Sequence, residues 1–116
     1  MSKNTEIGHK GELIAIEYLK KAGYVIICSN YRFERYEIDI IAREGDTLVF
    51  IEVKARNSAR FGAPEEAIDD RKIDHILECA NHYIEDTQWM NRIRFDIITV
   101  RMDKGPAINH IRDAFF

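Results

Sequence analysis

The chain has no apolar run long enough to cross a bilayer, and its first residues, MSKNTEIGHKGE, lack the oily centre of a secretion signal. A cytoplasmic protein with no membrane partner is therefore expected. Cysteine is scarce: Cys28 and Cys79 stand far apart and outside any CxxC pattern, which gives no support to a disulfide framework or a zinc ribbon. Two prolines and six glycines in 116 residues leave no room for a linker or a low-complexity tract. Positive charge is not in surplus either. The net charge is −3, and residues 61–90 hold eight acids against two bases. Only around the middle of the chain do Arg32, Arg35, Lys54, Arg56 and Arg60 make a local basic rim, compatible with phosphate contact. What remains is a globular composition, 46% hydrophobic and 32% charged, in a length that suits a single domain over 1–116.

Apolar periodicity predicts a helix over His9–Ala22, ended by Gly23. YVIICSNY then reads as a strand and RFER as a polar link. EIDIIARE and TLVFIEVKAR form a hairpin around Gly45–Asp46, where glycine at the first central position suits a type II′ turn. That turn sets Glu44 opposite Thr47, Asp39 opposite Glu52, and Glu37 opposite Lys54. Pro64 can open a second helix running to about Asp86, with Ile73, Ile76, Leu77, Ala80 and Ile84 as its buried stripe and His75 and His82 turned to water. RIRFDIITVR returns as a strand, and AINHIRDAF as a weaker final strand or tail. The order αβββαβ implies a mixed sheet covered on both faces, an α/β fold.

Asp39 sits among isoleucines, and Glu52 and Lys54 end an otherwise oily strand. Carboxylates facing each other across a hairpin lie roughly 5 Å apart at Cβ, and burying them unpaired costs several kcal/mol. A shared divalent cation relieves both charges. Hard oxygen ligands with room for water suit Mg2+ or Mn2+. Lys54, two residues beyond Glu52 on the same strand face, reaches the same place and can steady charge on a phosphate. These parts together describe metal-dependent phosphodiester hydrolysis. The plainer reading is a set of salt bridges at a sheet end, because E-x-K tripeptides are common. Arg32, Arg56 and Arg60 carry guanidinium forks that suit phosphates, although a solvated face explains them equally well.

Asp39, twelve intervening residues and Glu52-Val53-Lys54 resemble the PD-(D/E)xK signature of restriction-endonuclease-like nucleases. More narrowly, GHKGELIAIEYLKKAGYVIICSNYR, EIDIIAREGDTLVFIEVKAR, FGAPEEAI and RFDIITV resemble the YraN-like family of bacterial proteins, distant relatives of archaeal Holliday junction resolvases. The resemblance implies a restriction-endonuclease-like three-layer core, with Asp39 and Glu52 as ligands of Mg2+ or Mn2+ and Lys54 as the catalytic lysine. It also implies the carbonyl of Val53 as a further ligand and Glu12 as an acid brought to the metal by the first helix. A branched or structured DNA substrate and a homodimer follow from the same likeness. Two positions depart from the pattern: Ile38 stands where the signature has proline, and Tyr36 where related sequences usually have glycine. The alternative is a non-catalytic module that binds nucleic acid or protein on a nuclease fold.

Overall fold

The computed structural model describes residues 3–57, 69–103, 105 and 107–115, without the side chains of 3–5. Helix α1 (Lys3–Lys21) is followed by strands β1 (Val25–Phe33), β2 (Tyr36–Glu44) and β3 (Thr47–Arg56). Helix α2 (Asp70–Thr87) and strands β4 (Arg92–Arg101) and β5 (Ala107–Ile111) complete the order. The strands lie in one five-stranded sheet in chain order. Pairings are antiparallel except β3 with β4, which are parallel and joined through α2. The mixed α/β sheet expected from the element order is present, with one strand more than that order counts.

Each helix covers one sheet face. Ala15 and Leu19 of α1 pack on Ile40, Ala42, Val49, Ile51, Ile98 and Val100, whereas Ile76, Cys79 and Ala80 of α2 pack on Ile38, Ile41, Leu48, Phe50 and Phe95. Strand β3 therefore buries residues of both parities, which is why its sequence shows no polar alternation.

Termini differ from expectation for local reasons. Helix α1 begins at Lys3 rather than His9; the added turns are polar and show no apolar period, but Glu6 in the first turn suits the helix dipole. Its end is a Schellman motif: Gly23 takes φ +96°, with Gly23 N–H donating to Lys20 O and Tyr24 N–H to Leu19 O. Pro64 lies outside the described residues, and α2 starts later, at Asp70. There Asp69 is extended, at φ −92° and ψ 173°, and its side chain accepts from Lys72 N. The RFER link is shorter than read, because Arg32 and Phe33 pair with Glu37 and Tyr36 at the end of β1.

Two positions shape the end of the sheet that carries Asp39 and Glu52. Gly11 marks the closest approach of α1 to β3: a Cβ there would lie 2.5 Å from Ala55 Cβ. Glycine lets the helix sit low on the strand, and it carries the adjacent Glu12 down with it. Asn30, at φ +54°, interrupts β1. Tyr31 and Cys28, three apart, both face α2, as do their partners Ile38 and Ile41. Regular alternation forbids that spacing, so the chain kinks where Asn30 stands opposite Asp39.

Candidate active site

The β2–β3 hairpin keeps the expected register from Glu44–Thr47 to Ile40–Ile51, with Gly45 at φ +58° in the turn. Beyond Ile51 the ladder stops. Asp39 then uses its side chain: Val53 N–H, which a continued ladder would have paired with β2, donates instead to Asp39 Oδ2 at 2.8 Å. This brings Asp39 against Glu52, as the register implies, but at a fork between strands rather than across a closed ladder. Glu37 departs from its expected partner. It does not face Lys54; it accepts from Arg32 Nε at 3.0 Å and from the Asn30 amide at 3.3 Å.

Glu52 is 3% exposed, with Oε2 3.1 Å from Lys72 Nζ and Oε1 buried without a hydrogen-bond donor among the described residues. Burial first, then the facing Asp39 carboxylate, push the Glu52 carboxyl up to about 8. Lys72 moves the other way from what its partial burial alone would do. Its neighbours Glu52, Asp39 and Glu37 outweigh desolvation and hold the ammonium protonated above its ordinary value. Glu12, from α1, accepts from the Asn30 amide at 3.0 Å. Burial, with Asp39 and Glu37 nearby, raises its carboxyl despite that bond.

Four carboxylates, from Glu12, Glu37, Asp39 and Glu52, thus gather where α1, β2 and β3 meet, with Arg32 and Lys72 as their ion-pair or hydrogen-bond cations. An orphaned buried oxygen beside a second carboxylate is a donor set that suits a hard divalent ion, so Asp39 and Glu52 fit the implied metal. Glu12 fits less directly, because the Asn30 amide engages its carboxylate; among the described residues no three His, Cys, Asp or Glu side chains form a closed metal group. Val53 stands between the two acids, its N–H on Asp39. Lys54 is half-buried on the next position of β3 that shares Glu52's face, and it forms no ion pair among the described residues. Arg56 ends β3, where its carbonyl accepts from Met102 N at 2.8 Å; Arg32 is largely exposed; Arg60 lies outside the described residues.

Sequence reasoning missed two things. Lys72 falls four residues before Ile76 and seven before Cys79, on the buried stripe of α2, and a lysine at that spacing signals a buried anion opposite. Of the expected stripe, Ile76 and Ala80 are buried and Leu77 and Ile84 pack against the same core, but the covered face widens toward Cys79 and Tyr83. His75 and His82 consequently do not face water: His75 stacks on Tyr36 at 4.1 Å, and His82 stacks on Phe33 at 4.1 Å and bonds the Tyr31 hydroxyl at 2.6 Å. The second omission is Asp96, a carboxylate in an apolar strand just as Asp39 is. It is fully buried and bound by Arg94, His110 Nε2 at 2.7 Å and Asp113 N at 3.1 Å. Burial opposes its ionisation, but these donors outweigh it and hold the Asp96 carboxyl below its usual value.

Residues 11–100 match the uncharacterised protein family UPF0102. The chain belongs to that family. A UPF0102 protein of Christiangramia forsetii is 42% identical over 100% of this chain and 98% of its own. Relatives in Caldicellulosiruptor saccharolyticus and Syntrophomonas wolfei are 44% and 40% identical over 95% and 97% of this chain, and over 97% and 99% of theirs. Membership accords with the likeness to YraN-like proteins, and the matched span takes in Gly11, Glu12, the whole fork and Lys72. No helix among the described residues is long and apolar enough to cross a membrane.

Proposed function

We propose that this UPF0102 protein is a metal-dependent endonuclease of the PD-(D/E)xK type that hydrolyses DNA phosphodiester bonds, with branched or structured DNA as substrate. The observation that carries the reading is the buried Glu52 carboxyl set against Asp39, its Oε1 without a donor among the described residues, at a place where the sheet opens. A fold with no use for that buried carboxyl would be more stable with an apolar residue there. Mg2+ or Mn2+, held by Asp39 and Glu52, would supply Lewis-acid activation and neutralise charge on the phosphate. Asp39 is fixed by the Val53 amide, so its free oxygen keeps one direction. In the metal-free protein Glu52 is held by Lys72 through one oxygen, and its other oxygen has no donor among the described residues. Lys54 would steady the phosphate, as the resemblance implies, and Glu12 would serve as a further acid once released from Asn30. Arg32, Arg56 and Arg60 are proposed phosphate contacts, and a homodimer would allow paired cuts in two strands.

A second reading, a non-catalytic binding module, draws support from the engagement of Glu12 by Asn30 and from the acidic surroundings of the site. One experiment separates them. The protein is incubated with Mn2+ and end-labelled single-strand, duplex, flap and four-way-junction DNA, beside Asp39→Ala and a chelator control. Cleavage by the wild type alone is the expected result. Binding without cleavage of any substrate would favour the module, and neither binding nor cleavage would overturn the DNA reading.

A further inference from the structure

Lys72 approaches the paired carboxylates from a helix, not from the strand that carries Lys54. Its main chain is anchored, because Lys72 N–H donates to capping Asp69 Oδ1 at 2.9 Å. The ammonium is 3.1 Å from Glu52 Oε2; the lysine side chain is 38% exposed and its partner 3%. One end of this ion pair is therefore sealed and the other open to solvent. An ammonium and a divalent cation drawn to the same carboxylate repel strongly in a partly desolvated site, so the two compete. A lysine has the means to yield: a compact charge on a flexible four-carbon stem, with Asp39 and Glu37 also within its electrostatic reach.

We propose that Lys72 is the resident counter-ion of the Asp39–Glu52 pair, releasing Glu52 when a divalent cation binds and then turning its ammonium to the incoming phosphate. This rests on the metal reading above. In the metal-free protein the lysine keeps a buried carboxylate from standing alone; in the loaded protein it is a second positive group, beside Lys54, at the mouth of the fork. Lys72 is a positioning residue in the first state and a phosphate contact in the second.

The test titrates Mn2+ into chelator-stripped full-length protein and follows the free-ion signal by electron paramagnetic resonance, with thermal melting in parallel. Lys72→Met, close in length and uncharged, is expected to bind Mn2+ roughly tenfold more tightly than wild type. It should melt lower than wild type in chelator and recover more on adding Mn2+. Lys72→Gln, which keeps a donor for Glu52, should shift affinity the same way and serves if the methionine variant does not fold. Unchanged or weaker Mn2+ binding in both variants would overturn the role of Lys72. If wild-type binding is nonetheless lost in Asp39→Ala, the metal site itself would stand. No Mn2+ binding by any of the proteins would overturn both.

Discussion

Glu52 shows how much one side chain can decide. Its ordinary value of 4.5 rises to about 8 in the folded protein, so between those limits the native state holds a proton that the unfolded chain has released. Unfolding then gives up a proton, and stability must fall as pH rises from about 4.5 to about 8. Chemical denaturation of metal-free protein across that range should show the decline, and Glu52→Gln should lack most of it. A wild type and variant with parallel profiles would mean that Glu52 is not the group responsible. Legibility at this scale was uneven. Asp39 and Glu52 stood out because acids in apolar strands need a reason, and the turn at Gly45 fixed their approach. Asp96 offered the same signal without a facing acid; Arg94 stands two residues away on the same strand, but His110 and the Asp113 amide come from the far side of the β4–β5 connection, which no local spacing links.

Among the elements, helix α1 depends on one missing side chain. Gly11→Ala adds helix propensity of about 1 kcal/mol, but the new Cβ would meet Ala55 at 2.5 Å, so α1 must rise off β3. A net loss of about 1–2 kcal/mol of stability is expected, as for other overpacked contacts. It should come with weaker cation binding, because Glu12 rises with the helix. The pairing Gly11→Ala with Ala55→Gly should restore much of both, read by denaturation and by Mn2+ titration. The sequence revealed the elements through their apolar periods, and the hairpin register through its turn. It did not reveal the fork, because the end of a ladder is set by where neighbouring strands pull away. The kink at Asn30, opposite Asp39, has no signature beyond an asparagine, a residue that tolerates positive φ. The width of the covered face of α2 was likewise hidden: its isoleucines mark an apolar arc that does pack on the core, but Tyr31, Phe33 and Tyr36 from β1 and β2 extend the cover to His75, His82 and Tyr83.

Across the molecule the two helical layers carry charge differently. On the α1 side a closed network runs from Glu44 through Arg94 to Asp96, His110 and the Tyr18 hydroxyl, with Tyr24 and Arg112 alongside. It ties the first helix to the last strand. At the fork, by contrast, Glu52 Oε1 has no donor among the described residues. Asp96→Asn removes the anion from beneath Arg94 and His110 and should cost about 3–5 kcal/mol, the usual penalty for stranding buried charge. A drop in melting temperature that leaves Mn2+ affinity unchanged would show the two centres to be separate. Four aromatic residues are engaged within the chain: Phe33 and Tyr36 stack on histidines, Tyr18 bonds His110, and Phe115 stacks on Phe95.

The amide of Val53 belongs to a strand but bonds to a side chain, and this makes it a spectroscopic witness. Its proton lies in the field of the Asp39 carboxylate, so the resonance should sit downfield of its strand neighbours in the stripped protein. When a cation draws charge from that oxygen the peak should move upfield, while Val49, inside the intact ladder, stays in place. A single cross-peak in a nitrogen–proton spectrum would then follow the filling of the site, residue-specific and without any substrate.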